Sequence, residues 1–202
     1  MNTPKKRRLM RKLWSVIRTC RQCPGLNRWE DTEATIGFGD LDSPVMFVGQ
    51  SLHTIHPNFL YQIPFVNPRG MPNSGNLIFE AVGEAGLNWW DVFTSNIVHC
   101  HPFKNRVSLP LEKKNCKPFL LSEIGIVKPR LIVCLGADAT KSLLGNNMIL
   151  PKPILRTIKT PHGDISTKVI GFKHPASFLY SPSAEGTLYW KKKLVHLLRA
   201  YS

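Results

Sequence analysis

Val45-Met46-Phe47-Val48-Gly49 is a short apolar run that ends on glycine. A continuous apolar run of this length fits a strand buried on both faces, as in a parallel sheet. Leu131-Ile132-Val133-Cys134-Leu135 and Lys168-Val169-Ile170-Gly171-Phe172 repeat the pattern. A fourth strand is read in Val92-Phe93-Thr94-Ser95-Asn96-Ile97-Val98. Helical patterns fall around and between these runs. Residues 5–18 read as a basic amphipathic helix with Leu9, Leu13, Trp14 and Ile17 on one face. Ser74 reads as the N-cap of a helix reaching about Ala85. Further helices are expected near residues 112–127, over 137–144, and from about Thr187 to Ala200. Residues 146–166, with Pro151, Pro153 and Pro161, read as irregular. Strands alternating with helices predict an α/β sandwich around a mostly parallel, four-stranded sheet. The longest loops follow the C-terminal ends of strands, where open α/β sheets carry their ligand sites.

A chain of 202 residues is about the length of one domain, so residues 1–202 are expected to form one. No apolar run reaches the ~18 residues a membrane span needs. Trp14, Val16 and Ile17 are interspersed with Arg11, Lys12 and Arg18, which does not suit the apolar core of a signal peptide. The expectation is a cytoplasmic protein. With 27 basic and 13 acidic residues the formal charge is +14. An excess this large points to a polyanion, with nucleic acid the default. The charge is concentrated in Lys5-Lys6-Arg7-Arg8 with Arg11 and Lys12, and in Lys191-Lys192-Lys193 with Arg199.

Four of the five cysteines fall into two pairs, Cys20-Arg21-Gln22-Cys23 and Cys100 with Cys116. In a reducing compartment, C-x2-C spacing favours metal over disulfide. Four sulfurs suit either zinc or an iron–sulfur cluster, and spacing alone leaves both open. Cys134 lies inside a strand pattern and reads as a small core residue.

The loops carry an ordered set of segments: Thr35-Ile36-Gly37-Phe38-Gly39-Asp40, Pro44–Gly49 leading into Gln50-Ser51-Leu52-His53, Pro64-Phe65-Val66, and Ser74-Gly75-Asn76-Leu77. Thr94–Pro102, Leu135-Gly136-Ala137-Asp138-Ala139 and His174-Pro175 follow. With Cys20-Arg21-Gln22-Cys23-Pro24 ahead of them, they resemble the iron–sulfur (family four) uracil-DNA glycosylases over nearly the whole chain. The resemblance implies a three-layer α/β/α fold and a [4Fe-4S] cluster held by Cys20, Cys23, Cys100 and Cys116. It implies excision of uracil, or a modified uracil, from DNA by cleavage of the N-glycosidic bond in base-excision repair. The chain would act as a monomer, associated with the nucleoid through its DNA. Phe65 would be the floor on which the flipped pyrimidine stacks. Asn96 would read its edge, since an amide offers a donor and an acceptor. His174 would donate to the pyrimidine O2 and stabilise the anionic leaving base. Backbone donors after Gly49, at Gln50 and Ser51, would add to this. Phe178-Leu179-Tyr180 sits where the family has an apolar wedge, with Leu179 the foremost candidate and Phe178 beside it. Basic residues at the chain ends and around Lys104 and Arg106 would hold phosphates.

Two loops depart from the family pattern. The acidic residue that the family places after the glycine is Gln50 here, and Ser51 follows. Glutamine positions water but accepts no proton near neutral pH, and general-base help is typically worth about 10²–10⁴-fold. A silenced homologue that binds uracil-containing DNA is therefore the alternative reading. After Pro64-Phe65-Val66, residues 67–73 form a longer link than the family has, which leaves an enzyme for a hypermodified pyrimidine as a third reading. His53 and His56 are the nearest substitutes for the lost base, though each reads as a surface loop residue. The serine expected after His-Pro is displaced by Ala176, with Ser177 next.

Overall fold

The computed structural model describes residues 3–26, 34–52, 64–65, 74–102, 106–146, 152–180 and 183–202. His53, His56, Lys104 and the longer link at 67–73 lie outside the described residues. Among those described, the strands are β1 (Phe38–Gly39), β2 (Val45–Gly49), β3 (Phe93–Asn96), β4 (Leu131–Leu135), β5 (Ile154–Ile158) and β6 (Ile165–Phe172). The helices are α1 (Thr3–Arg18), α2 (Ser74–Glu84), α3 (Pro110–Val127), α4 (Ala137–Leu144), α5 (Ala176–Tyr180) and α6 (Ala184–Tyr201).

The sheet runs β1-β3-β2-β4-β6-β5. The four strands expected from the apolar runs form its parallel centre, with β2 between β3 and β4, and β6 beyond β4. Two short antiparallel strands extend it to six: β1 on β3, and β5 on β6. The stretch expected to be irregular thus holds β5. Its residues are mostly exposed, and their order comes from pairing with β6 rather than from an apolar pattern of their own. The same pairing starts β6 at Ile165, three residues earlier than the apolar run suggests.

Successive strand residues point to opposite faces. Met46, Val48, Phe93, Ile132, Cys134 and Val169 pack under α1, α3 and α4, with Met10, Ile17, Leu120, Ile124 and Ala139. Val45, Phe47, Leu131, Val133 and Ile170 pack under α2 and α6, with Ile78, Val82, Trp190, Leu194 and Leu198. This is the three-layer α/β/α arrangement. Each large apolar side chain so buried contributes about 1.5–3 kcal/mol relative to exposure. Cys134 is fully buried in the first of these layers, as expected of a core residue, and burial drives its thiol well above the usual range. No helix among the described residues is long and apolar enough to cross a membrane.

Candidate functional site

The C-terminal ends of the four parallel strands gather the predicted side chains. β2 and β3 pair so that Gly49 lies opposite Asn96. The ladder continues into the following loop, where the Ile97 N–H donates to Gly49 O at 2.9 Å and the Val98 N–H to Gln50 O at 2.9 Å. Gln50 and Ser51 are therefore held at the strand end beside Asn96, both half-buried. A β-carbon built on Gly49 would stand 2.5 Å from Asn96 Oδ1 and 2.7 Å from Phe65 Cζ. Glycine at 49 lets the buried amide and the aromatic ring close on one point. Phe65 holds a left-handed φ of 66°, which for a bulky residue costs about 1–2 kcal/mol. Strain of this kind concentrates where a side chain must be aimed.

A second group forms over β4 and β6. Gly136, the residue after β4, has φ 96° and places His174 Cβ 3.3 Å from where its own β-carbon would be. The Ala176 N–H donates to His174 Nδ1 at 3.1 Å. A nitrogen that accepts carries no proton, so the neutral ring bears its hydrogen on Nε2. The His174 carbonyl accepts from the Ser177 hydroxyl at 2.7 Å and from the Ser177 N–H at 3.0 Å. The displaced serine thus still closes this turn. From the far side, the Trp190 indole N–H donates to Lys173 O at 2.9 Å, while its ring meets Phe172 and Phe178 edge-on. Phe178 is half-buried in α5 against Trp190. The Leu179 side chain lies outside the described residues.

Three strand spacings of about 4.8 Å separate β3 from β6, or about 14 Å between axes. Asn96 and His174 rise on the two sides of this span, with glycines at the ends of β2 and β4 between them.

Beside this edge the cysteines come together. The Cys20 N–H donates to Ile17 O at the end of α1, and Leu26 forms an antiparallel bridge with Pro102. The Asn115 amide donates to Cys23 Sγ at 3.4 Å. Cys100 and Cys116 are buried, Cys20 and Cys23 half-buried. Burial pushes the Cys116 thiol up to about 12; the neighbouring Cys100, Cys23 and Cys20 add to this, and the His99 N–H opposes it. Cys20, Cys23 and Cys100 thus lie within electrostatic reach of Cys116. Among the described residues, however, no group of three or more His, Cys, Asp or Glu is drawn in to metal-ligand spacing.

Sequence reading missed a buried polar network around Ser95, the neighbour of Asn96 in β3. Glu123 of α3 is wholly buried. It accepts from the Gly37 N–H at 2.8 Å and from the Ser95 hydroxyl, and its Oε2 lies 3.9 Å from His99 Nε2. Burial raises its carboxyl, against the opposing pull of His99, Ser95 and Gly37. His99 Nδ1 bonds the Thr35 carbonyl at 2.8 Å, and His101 Nδ1 the Leu52 carbonyl at 3.1 Å. A lone acid inside the apolar stretch 120–127 was the available signal.

Several basic residues expected on phosphates are already committed. Arg106 grips Glu112 with two donors, at 3.0 and 2.5 Å. Lys191 pairs with Glu80 and Glu84. Arg199 donates to Glu84 O, and Lys193 lies over the Phe172 ring.

Residues 36–199 match the profile of the uracil DNA glycosylase superfamily. The chain is 34% identical over 171 residues to the type-4 uracil-DNA glycosylase of Thermotoga maritima, covering 84% of this chain and 82% of that protein. The type-4 enzyme of Pyrobaculum aerophilum is 34% identical over 135 residues, 67% of this chain and 64% of that protein, just under two thirds of its length. The Archaeoglobus fulgidus type-4 enzyme is 29% identical over 171 residues, 82% of this chain and 81% of that protein.

Proposed function

The chain belongs to the uracil-DNA glycosylase superfamily, and on that premise we propose that it excises uracil from DNA by hydrolysing the N-glycosidic bond. The observation that carries the reading is the packing of Asn96 and Phe65 on Gly49 at the end of β2, with His174 packed on Gly136 just past the end of β4. A base lifted from the stack would rest on Phe65. The Asn96 amide would meet a pyrimidine edge that has one donor and one acceptor side by side. As the bond to the sugar breaks, the base leaves as an anion. The Nε2–H of His174 would hydrogen-bond its oxygen as that charge grows, without proton transfer. Gln50 would hold the attacking water through its amide, leaving the cationic character of the sugar to drive the attack. Phe178 and Leu179 of α5, next along the chain from His174, would fill the gap in the stack.

Cys20, Cys23, Cys100 and Cys116 would hold a [4Fe-4S] cluster. An all-sulfur donor set, partly buried and joined from three segments, supports that assignment. Such a cluster supplies a structural tie between the end of α1 and the loop that follows Asn96. The protein would work as a single-domain monomer on cytoplasmic, nucleoid DNA.

The test is release of an alkali-labile site from a uracil-containing duplex by cluster-loaded protein. Loss of one transition-state donor typically costs about 10²–10³-fold, so His174→Ala is expected to lower single-turnover excision by that much, and Asn96→Ala likewise. No product with any pyrimidine lesion would defeat the proposal. Gln50 motivates the alternative of a silent binder: an inactive wild type that gains excision as Gln50→Glu would establish it.

A further inference from the structure

We propose that the exposed face of α1 is a second DNA-contact surface, set apart from the base-reading site, which takes the phosphate backbone of flanking duplex. It rests on the reading of the chain as a DNA glycosylase. α1 carries Lys5, Lys6, Arg7, Arg8, Arg11, Lys12 and Arg18 and no acidic residue. Lys6 alone among them is buried: its ammonium donates to Leu41 O at 2.8 Å and Val127 O at 2.9 Å and pairs with Asp42 at 2.7 Å. Arg7, Arg8, Arg11 and Lys12 are exposed, and no acidic residue among those described forms an ion pair with them.

This arrangement works against the helix that carries it. Arg7 with Arg11, and Arg8 with Lys12, are like-charge neighbours four residues apart, and Arg8 with Arg11 three apart. Cations in the first turns also oppose the positive end of the helix dipole. α6 is different: its Lys191 is balanced by Glu80 and Glu84 on α2. Two basic runs that look alike in sequence therefore differ in the fold: in α6 Lys191 is paired with two carboxylates, while in α1 Arg7, Arg8, Arg11 and Lys12 pair with no described acidic residue. An open run with unfavourable self-energy is relieved by an external anion.

The placement of α1 favours duplex DNA as that anion. Its start is anchored at Leu41 and Val127, just ahead of β2 and β4, and its end leads to Cys20 and Cys23 beside the site edge. Sixteen residues at 1.5 Å each give a track of about 24 Å. Arg7 lies about 16 Å along the helix from Arg18, twice the ~8 Å screening length at physiological salt, so the track is separate from the field of the site itself. A membrane surface would need an apolar face to enter the bilayer. Here Met10 and Ile17 are buried in the core, with Leu9, Leu13 and Trp14 packed against it.

The test is the salt dependence of binding to a uracil-free 30-base-pair duplex, for wild type and for Arg7→Gln/Arg8→Gln/Arg11→Gln/Lys12→Gln. Each phosphate contact contributes about 0.9 to the slope of log K against log salt. The quadruple variant is expected to flatten that slope by about 3.6 and to weaken low-salt binding at least tenfold. Its excision rate at saturating short uracil oligonucleotide should stay within about twofold of wild type. Removing like-charge repulsion should leave its melting temperature no lower, and the Arg7→Gln/Arg8→Gln pair should give about half the slope change. A Lys191→Gln control on α6, where the ammonium is already paired with Glu80 and Glu84, should leave the slope unchanged. An unchanged slope in the quadruple variant overturns the proposal, as does a slope change matched by the α6 control. Retained DNA binding with lost binding to phosphatidylserine vesicles also overturns it and assigns the face to a membrane. A flattened slope in a protein without excision leaves the surface standing and removes the glycosylase reading; excision with an unchanged slope does the reverse.

Discussion

At position 49 the neighbouring side chains leave room for a hydrogen and for nothing larger. A methyl group there would overlap Asn96 Oδ1 and the Phe65 ring, at 2.5 and 2.7 Å. Neither neighbour has an easy retreat, since Asn96 is buried in the β2–β3 ladder and Phe65 is already in a left-handed conformation. Gly49→Ala is therefore expected to lower excision by at least about 100-fold, the scale of losing one reading donor. Binding to uracil-free duplex should persist, and a variant with full kcat/KM would show that the two side chains do not read the base together. His174 shows what a sequence leaves out at this scale. His174-Pro175 marks the position, but the proton on Nε2 follows from the Ala176 N–H, a bond that exists only once the turn has closed.

Among elements, α3 has the widest reach. It opens with Pro110, is capped by Glu112 taking the Leu109 N–H at 2.7 Å, presents Cys116, and carries Glu123 beneath β3. The Glu123 carboxyl is the acceptor for both the Gly37 N–H and the Ser95 hydroxyl. Leaving a buried donor unsatisfied costs about 1–3 kcal/mol, so Glu123→Ala should lose about 2–4 kcal/mol, read as a lower urea midpoint at unchanged slope. Glu123→Gln should lose less, because an amide can accept from Gly37 and donate to Ser95. Equal losses would show that the network does not hold β3. The parallel strands and the longer helices were legible because each buries a patterned face. β1, β5 and α5 were not, since these short elements take their order from neighbours distant in sequence or from a turn.

Over the whole molecule, the cysteines join the N-terminal helix to the middle of the chain. Protein purified without oxygen should be brown and hold four irons and four sulfides per chain; Cys20→Ser or Cys116→Ser should bleach it and lower the melting temperature by several degrees. One zinc and no colour in the wild type would replace the cluster with a mononuclear site. The residues alone determined the layered α/β class, the order of the motifs, the cysteine set and the basic excess, because apolar period and residue chemistry are local. Only the tertiary structure decided which cations remain open, which nitrogen of His174 donates, and that Glu123 accepts from Ser95 of β3. Those outcomes depend on contacts such as Lys191 with Glu80 and Gly37 with Glu123, which join segments far apart in the chain and leave no period in the sequence.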